Sequence, residues 1–206
     1  MHIPLAFNRL TRALAATAVF FMVLTPASAQ AQSTAPGVVE AAATPPAMLM
    51  AYGNSWQAKG SGTLRFFGFK AYDATLWLPN ADAGLSFARP FALEIRYATS
   101  VKARDITNTS LIELQRIGQS SPEQIVAWSG LMESIFVDVV SGDRLIGVHL
   151  PREGVRFFHN GKLLGESSDV AFSEAFFKIW LDPRTKRPEL RTALLGQSVR
   201  TVMSPN

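Results

Sequence analysis

Residues 60–78, GSGTLRFFGFKAYDATLWL, form two runs rich in aromatic and apolar residues, and the period of two that belongs to strands assigns the sides of the first. The first run sets Thr63, Arg65, Phe67 and Phe69 on one side and Leu64, Phe66 and Lys70 on the other. Strands are predicted over 56–67 and 69–78, with Gly60, Gly62 and Gly68 permitting twist or a bulge. After Pro90 a third run alternates Phe91, Leu93, Ile95 and Tyr97 with Ala92, Glu94 and Arg96, which gives one core face and one that is wet or paired.

The period then changes to that of helices. Ile106, Leu111, Leu114 and Ile117 form a stripe over 104–116 that Gly118 can cap. Ser121, Pro122 and Gln124 start a second helix, with Ser as N-cap, Pro at the first position and Gln completing a capping box; its stripe runs to about 137. Strands are expected over 144–150, 155–159 and 162–165, the last two joined by the hairpin signal Asn160-Gly161. A third helix over 169–179 places Ala171, Phe172, Ala175, Phe176 and Ile179 on one side, and Pro188 opens a short last helix stopped by Gly196. Strands, helices, strands, helices in that order predict an α+β domain, a large antiparallel β-sheet with helices packed on one face.

The first residues do not share this pattern. Arg9 and Arg12 precede the apolar run ALAATAVFFMVL at 13–24, and Ala27-Ser28-Ala29 supplies a small-x-small cleavage site. The run is shorter than the ~20 residues of a membrane span, which weighs against the competing reading of an uncleaved anchor. The expectation is a signal peptide over 1–29, a flexible leader rich in Ala, Pro, Ser, Thr and Gln over 30–47, and one folded domain over 48–206, periplasmic or secreted after cleavage near Ala29, with no stable membrane span left. About 155 residues suffice for one core.

Without the signal peptide the net charge falls from +4 to about +2, because Arg9 and Arg12 leave with it, and the basic residues are scattered; no nucleic-acid partner is expected. There is no cysteine, hence no disulfide framework and no thiolate chemistry. His149 and His159 stand far from any metal-ligand spacing, so neither a metal nor another cofactor is expected.

The candidate chemistry starts at Arg65, which leaves its strand beside two phenylalanines. A guanidinium there needs an acid, a carbonyl or water, since an unpaired buried charge is costly. Either it faces a ligand pocket, or it pairs with Glu94 or Asp73 across the sheet. Tyr72 and Tyr97 read as core residues with a wet hydroxyl, and the aromatic set Phe172, Phe176, Phe177 and Trp180 suits a core or a lipid pocket equally.

The runs LRFFGFKAYDATLWL, PFALEIRY, GDRLIGVHL, the Asn160-Gly161-Lys162 hairpin and AFFKIWLDPRTKRPELRTALLG together resemble the exported bacterial chalcone isomerase-like family, over roughly 48–196. The resemblance implies the chalcone isomerase-like fold, with a ligand cleft between sheet and helices. The plant enzymes of that superfamily close a flavanone ring by adding a phenolate to an enone, and need a cation and hydroxyls where negative charge develops on the ketone oxygen. Arg65 matches the strand arginine that grips carboxylates in the fatty-acid-binding relatives, and Ser173 falls where the enzymes carry Ser or Thr. The enzymes' next-strand threonine is replaced near Tyr72. Their Tyr and Asn are absent from 104–111, where Arg104, Asn108 and Ser110 stand nearby.

The ligand-binding set implied is therefore Arg65, Tyr72, Tyr97, Arg104, Asn108 and Ser173, with a small amphiphilic ligand, fatty acid or phenolic, as partner. Three functions fit: a carrier with Arg65 at the polar end of an apolar cleft, an intramolecular lyase or isomerase using Arg65, Tyr72 and Ser173 as oxyanion donors, or an envelope interaction module with a filled interior. No acid–base pair, triad or nucleotide loop independently requires catalysis, and no protein partner is indicated.

Overall fold

The computed structural model of the chain describes residues 43–197 apart from positions 83 and 119. The expected signal peptide, and the expected leader as far as residue 42, lie outside the described residues.

Six strands, β1 (Gln57–Phe66), β2 (Phe69–Leu78), β3 (Phe91–Tyr97), β4 (Arg144–Leu150), β5 (Gly154–His159) and β6 (Lys162–Ser167), form one sheet in chain order with every pairing antiparallel. Helices α1 (Ala103–Ile117) and α2 (Pro122–Ile135) lie between β3 and β4 in the chain, and α3 (Val170–Leu181) and α4 (Pro188–Leu194) follow β6. The main core forms where Leu76, Leu93, Ile95 and Phe157 of the sheet meet Leu114, Trp128, Met132, Phe172 and Phe176 of the helices.

The helix boundaries have local causes. Ser121 and Gln124 form the expected reciprocal capping box, the Ser121 hydroxyl accepting from the Gln124 N–H at 3.3 Å and the Gln124 side chain accepting from the Ser121 N–H at 2.8 Å. The α1 N-terminus has no cap of its own. Asp138, beyond α2, accepts from the Ala103 N–H at 2.9 Å and takes that place. Asp169 caps α3 through the Phe172 N–H, and its other oxygen accepts from Trp128 Nε1 at 2.8 Å, which ties α2 to the start of α3.

On the sheet's second face, expected to be wet or paired, Glu94 is indeed paired, but the face is also covered. Ala92 and Glu94 of β3 are buried rather than wet, because Leu49, from a 3₁₀ helix at Ala47–Tyr52, and Trp56 pack with Trp77, Ala92, Ile146, Val148 and Phe158 into a second apolar cluster. Nothing in the periodicity of this short segment announces a helix; its signal is one buried leucine. Glu94 is held there by Trp77 Nε1, which donates to it at 3.0 Å, and by Arg144 at 3.5 Å. Helix α4 lies so close to β1 that a Cβ on Gly60 would run into the backbone of Ala193, Leu194 and Gly196.

Candidate ligand-binding site

A cavity of about 530 Å³ lies between the helix-facing side of the sheet and helices α1 and α3. Its size falls in the ~300–1,000 Å³ range of small-molecule sites. Leu93, Ile95, Gly147 and Phe157 of β3, β4 and β5 form the floor, Ile106 and Ser110 of α1 one wall, and Phe176, Phe177 and Trp180 of α3 the other. Phe66 at the end of β1 and Lys186 and Arg187 between α3 and α4 stand at the opening. The floor is glycine at position 147 because a Cβ there would meet the Phe177 ring at 2.9 Å, so α3 can close on the sheet only over a bare backbone.

Tyr72 and Tyr97 are cross-strand partners in β2 and β3, their rings edge to face at 6.1 Å between centroids. Trp180 Nε1 donates to the Tyr72 hydroxyl at 2.9 Å, which leaves the Tyr72 proton free to donate onward. The Tyr97 hydroxyl has no hydrogen-bond partner among the described residues. Burial raises the Tyr72 pKa, with the Trp180 bond and the Arg187 charge opposing more weakly, and burial followed by the neighbouring Tyr72 raises that of Tyr97. Both phenols therefore stay protonated at neutral pH and present O–H donors.

The cation of the site is Arg187. Its guanidinium lies 4.7 Å from the centroid of the Phe66 ring, lines the cavity, and is paired with no carboxylate among the described residues. The α3–α4 loop that carries it is held at several points. Arg184 pairs with Asp182 through two bonds of 2.8 and 2.9 Å and donates to the Ile117 carbonyl at 2.8 Å, the Thr185 hydroxyl donates to the Ile179 carbonyl at 2.8 Å, and Arg191 donates to the Leu181 carbonyl at 2.7 Å. Arg184 holds the Asp182 carboxyl down to about 2. Beside Arg187, Lys186 is paired with Glu113 of α1 at 2.9 Å, and Arg116 shares the same carboxylate at 2.8 Å. Burial alone would raise the Glu113 pKa, but these two cations outweigh it and keep the group ionised. Glu113 is thus satisfied and leaves the Arg187 charge uncompensated.

Of the six residues expected in the site, the structure brings two, Tyr72 and Tyr97, to the cavity. Arg65 does not reach it. The alternation along β1 holds, but Leu64 and Phe66 take the cavity side, so Arg65 is turned to the opposite face, exposed, donating to the Gly68 carbonyl at 3.2 Å. It pairs with neither proposed acid: Asp73 is taken by Lys70 at 2.5 Å and by the Thr63 hydroxyl at 2.6 Å, and Glu94 by Trp77 and Arg144. Arg104 and Asn108 lie on the solvent side of α1, Arg104 with its side chain 83% exposed and 3.6 Å from Asp105. Ser173 is 0% exposed and outside the cavity, bonded to His149 Nδ1 at 2.8 Å and to the Gly154 carbonyl at 2.9 Å, while His149 Nε2 meets the Phe87 carbonyl at 2.8 Å. That pairing of hydroxyl and imidazole is a core network with no access to a ligand. Arg65, Tyr72 and Ser173 therefore do not converge as oxyanion donors.

Sequence reading missed Arg187. Its signal lay in DPRTKRPELR, where an arginine directly precedes the proline that opens the last helix, so that a charge is fixed beside a helix start.

A family model described as chalcone isomerase-like matches residues 38–196. Among solved structures, a fatty-acid binding protein of Arabidopsis thaliana is similar at 12% identity and a TM-score of 0.54, over 70% of this chain and 88% of that one. At that identity the likeness establishes the fold alone. No curated protein matches in sequence.

Proposed function

The chain belongs to the chalcone isomerase-like family, and from that premise we propose that it is a carrier enclosing a fatty acid or similar amphiphile, its head group at Tyr72, Tyr97 and Arg187 and its tail in the cavity. The single observation that carries this reading is the cavity of about 530 Å³, apolar through most of its lining, which also holds two protonated phenols and one uncompensated guanidinium, the guanidinium near enough to Tyr72 to act on it electrostatically. A carboxylate accepts from all three, and charge-assisted bonds of this kind are the strong ones. The tail then covers Ile95, Phe157 and Phe176, where each buried methylene contributes about 0.8 kcal/mol. The Arabidopsis protein of the same fold is a fatty-acid binding protein by its description, which supports the choice of ligand class.

The signal-peptide pattern of residues 1–29 supports an exported carrier, periplasmic or secreted. The cavity speaks against the interaction module, which called for a filled interior. The lyase reading loses Arg65 and Ser173 as donors. An enone ketone could still accept from Tyr72 and Tyr97, and chalcone turnover above the spontaneous rate would revive it.

Mass spectrometry of small molecules that co-purify with the protein, followed by titration with long-chain fatty acids, tests the proposal. Carboxylate amphiphiles are expected in the extract, with the affinity of the corresponding alcohol or methyl ester lower by about tenfold or more. Equal affinity for acid and ester would overturn the head-group assignment, and no binding of any lipid would overturn the carrier.

A further inference from the structure

The turn between β1 and β2 carries the largest exposed aromatic feature of the described residues. Phe67 is 98% exposed, Phe69 80% and Phe66 49%. The ladder of β3 ends at Tyr97 opposite Tyr72, whereas β1 and β2 continue pairing to Phe66 opposite Phe69, so the tip runs on past the third strand. Its two central residues both have positive φ, 47° at Phe67 and 82° at Gly68. Such a turn favours Asn-Gly, and the chain uses Asn160-Gly161 at its other two-residue hairpin, with φ of 50° and 83°. A phenylalanine in the left-handed region is disfavoured. Here the disfavoured residue projects a ring almost wholly into solvent, where folding gains nothing from it.

We propose that this tip inserts into the interfacial region of a bilayer containing anionic lipid and seats the cavity mouth on that surface. Three features point to lipid. The exposed parts of three rings, from side chains that bury about 150–250 Å² each, fall short of the ~800 Å² per partner of a stable protein interface. The tip is a two-residue turn on a two-stranded hairpin, a narrow wedge that a fluid interface accommodates. Its rings are flanked by Arg65 and Lys70; Lys70 is paired with Asp73, and Arg65 and the exposed Arg96 leave the tip with a net positive charge complementary to anionic head groups. Phe66 joins tip and mouth, because its ring lines the cavity and lies beneath Arg187. Arg65, which does not reach the cavity, is placed to meet lipid phosphates.

Co-sedimentation with vesicles tests this, using the protein as recovered from an exporting host and vesicles of phosphatidylcholine alone or mixed with phosphatidylglycerol. The wild type is expected to bind the mixed vesicles, less tightly as salt rises. Phe67→Asn suits the turn and Phe69→Ser lies at its exposed edge, so both variants fold; each is expected to lose about tenfold or more in vesicle affinity, and Arg65→Gln several-fold with a shallower salt dependence. Retained vesicle binding in Phe67→Asn/Phe69→Ser would overturn the proposal. So would a wild type that ignores both kinds of vesicle, or one that instead self-associates through the tip, seen as an oligomer that the double variant abolishes. Vesicle binding needs no occupied cavity, so this result and that of the ligand titration stand apart.

Discussion

A charge can be legible in a sequence while its direction is not. Arg65 and Arg187 both lie near Phe66, yet only Arg187 enters the cavity, because Arg65 shares the outward face of β1 and Arg187 sits on a loop fixed from both sides. Arg187→Ala is therefore expected to weaken fatty-acid binding by about ten- to a hundredfold in calorimetric titration, and Arg65→Ala to leave it unchanged. Ser173 behaves in the opposite sense. Removing its hydroxyl strands His149 or the Gly154 carbonyl in the core, so Ser173→Ala is expected to cost about 1–3 kcal/mol in denaturant unfolding with no change in ligand affinity. Burial holds the His149 pKa below 6.5, with its bond to the Phe87 carbonyl opposing. The unfolded chain therefore takes up that proton first. The contribution to stability is full above about pH 6.5 and is lost as pH falls through the folded value. A melting temperature that declines on acidification below pH 6.5, with a flatter profile in His149→Gln, is the expected result.

At the scale of elements, the hairpin turns and the helix starts are where sequence and structure agree best. Strand β2, strand β4 and the Ser121 capping box stand where the pattern put them, since alternation, turn chemistry and capping are local signals. The 3₁₀ helix at Ala47–Tyr52 was not legible, because its reason to form is the second sheet face against which Leu49 packs. The seating of α4 on β1 is equally non-local: Gly60 reads as a twist residue in sequence and proves to be a clearance for the Ala193 carbonyl. Gly60→Ala is expected to displace α4 and cost about 1–3 kcal/mol by denaturant unfolding. At the tip, Phe67→Asn is expected to leave the melting temperature unchanged or raise it, since Asn tolerates the positive φ that Phe67 holds at 47°.

For the whole molecule, the order strands, helices, strands, helices was enough for an antiparallel sheet with helices on one face, and the resemblance for the family. The cavity was not readable in the same way. Phe176, Phe177 and Trp180 line it and also pack the core, so composition alone cannot separate a filled interior from a hollow one. What keeps it open is the joint placement of the sheet, α1 and α3, with the closure of α3 fixed by Gly147 and the opening fixed by the loop from Asp182 to Arg187. The most direct test is a crystal structure of the complex with a long-chain fatty acid bearing a heavy atom at its methyl end. The carboxylate is predicted within ~3 Å of the Tyr97 hydroxyl and the Arg187 guanidinium, with the heavy atom among the aromatic rings of α3 and β5. A carboxylate on the outer face of the sheet at Arg65, or a saturated crystal with the cavity empty of ligand, would contradict the account.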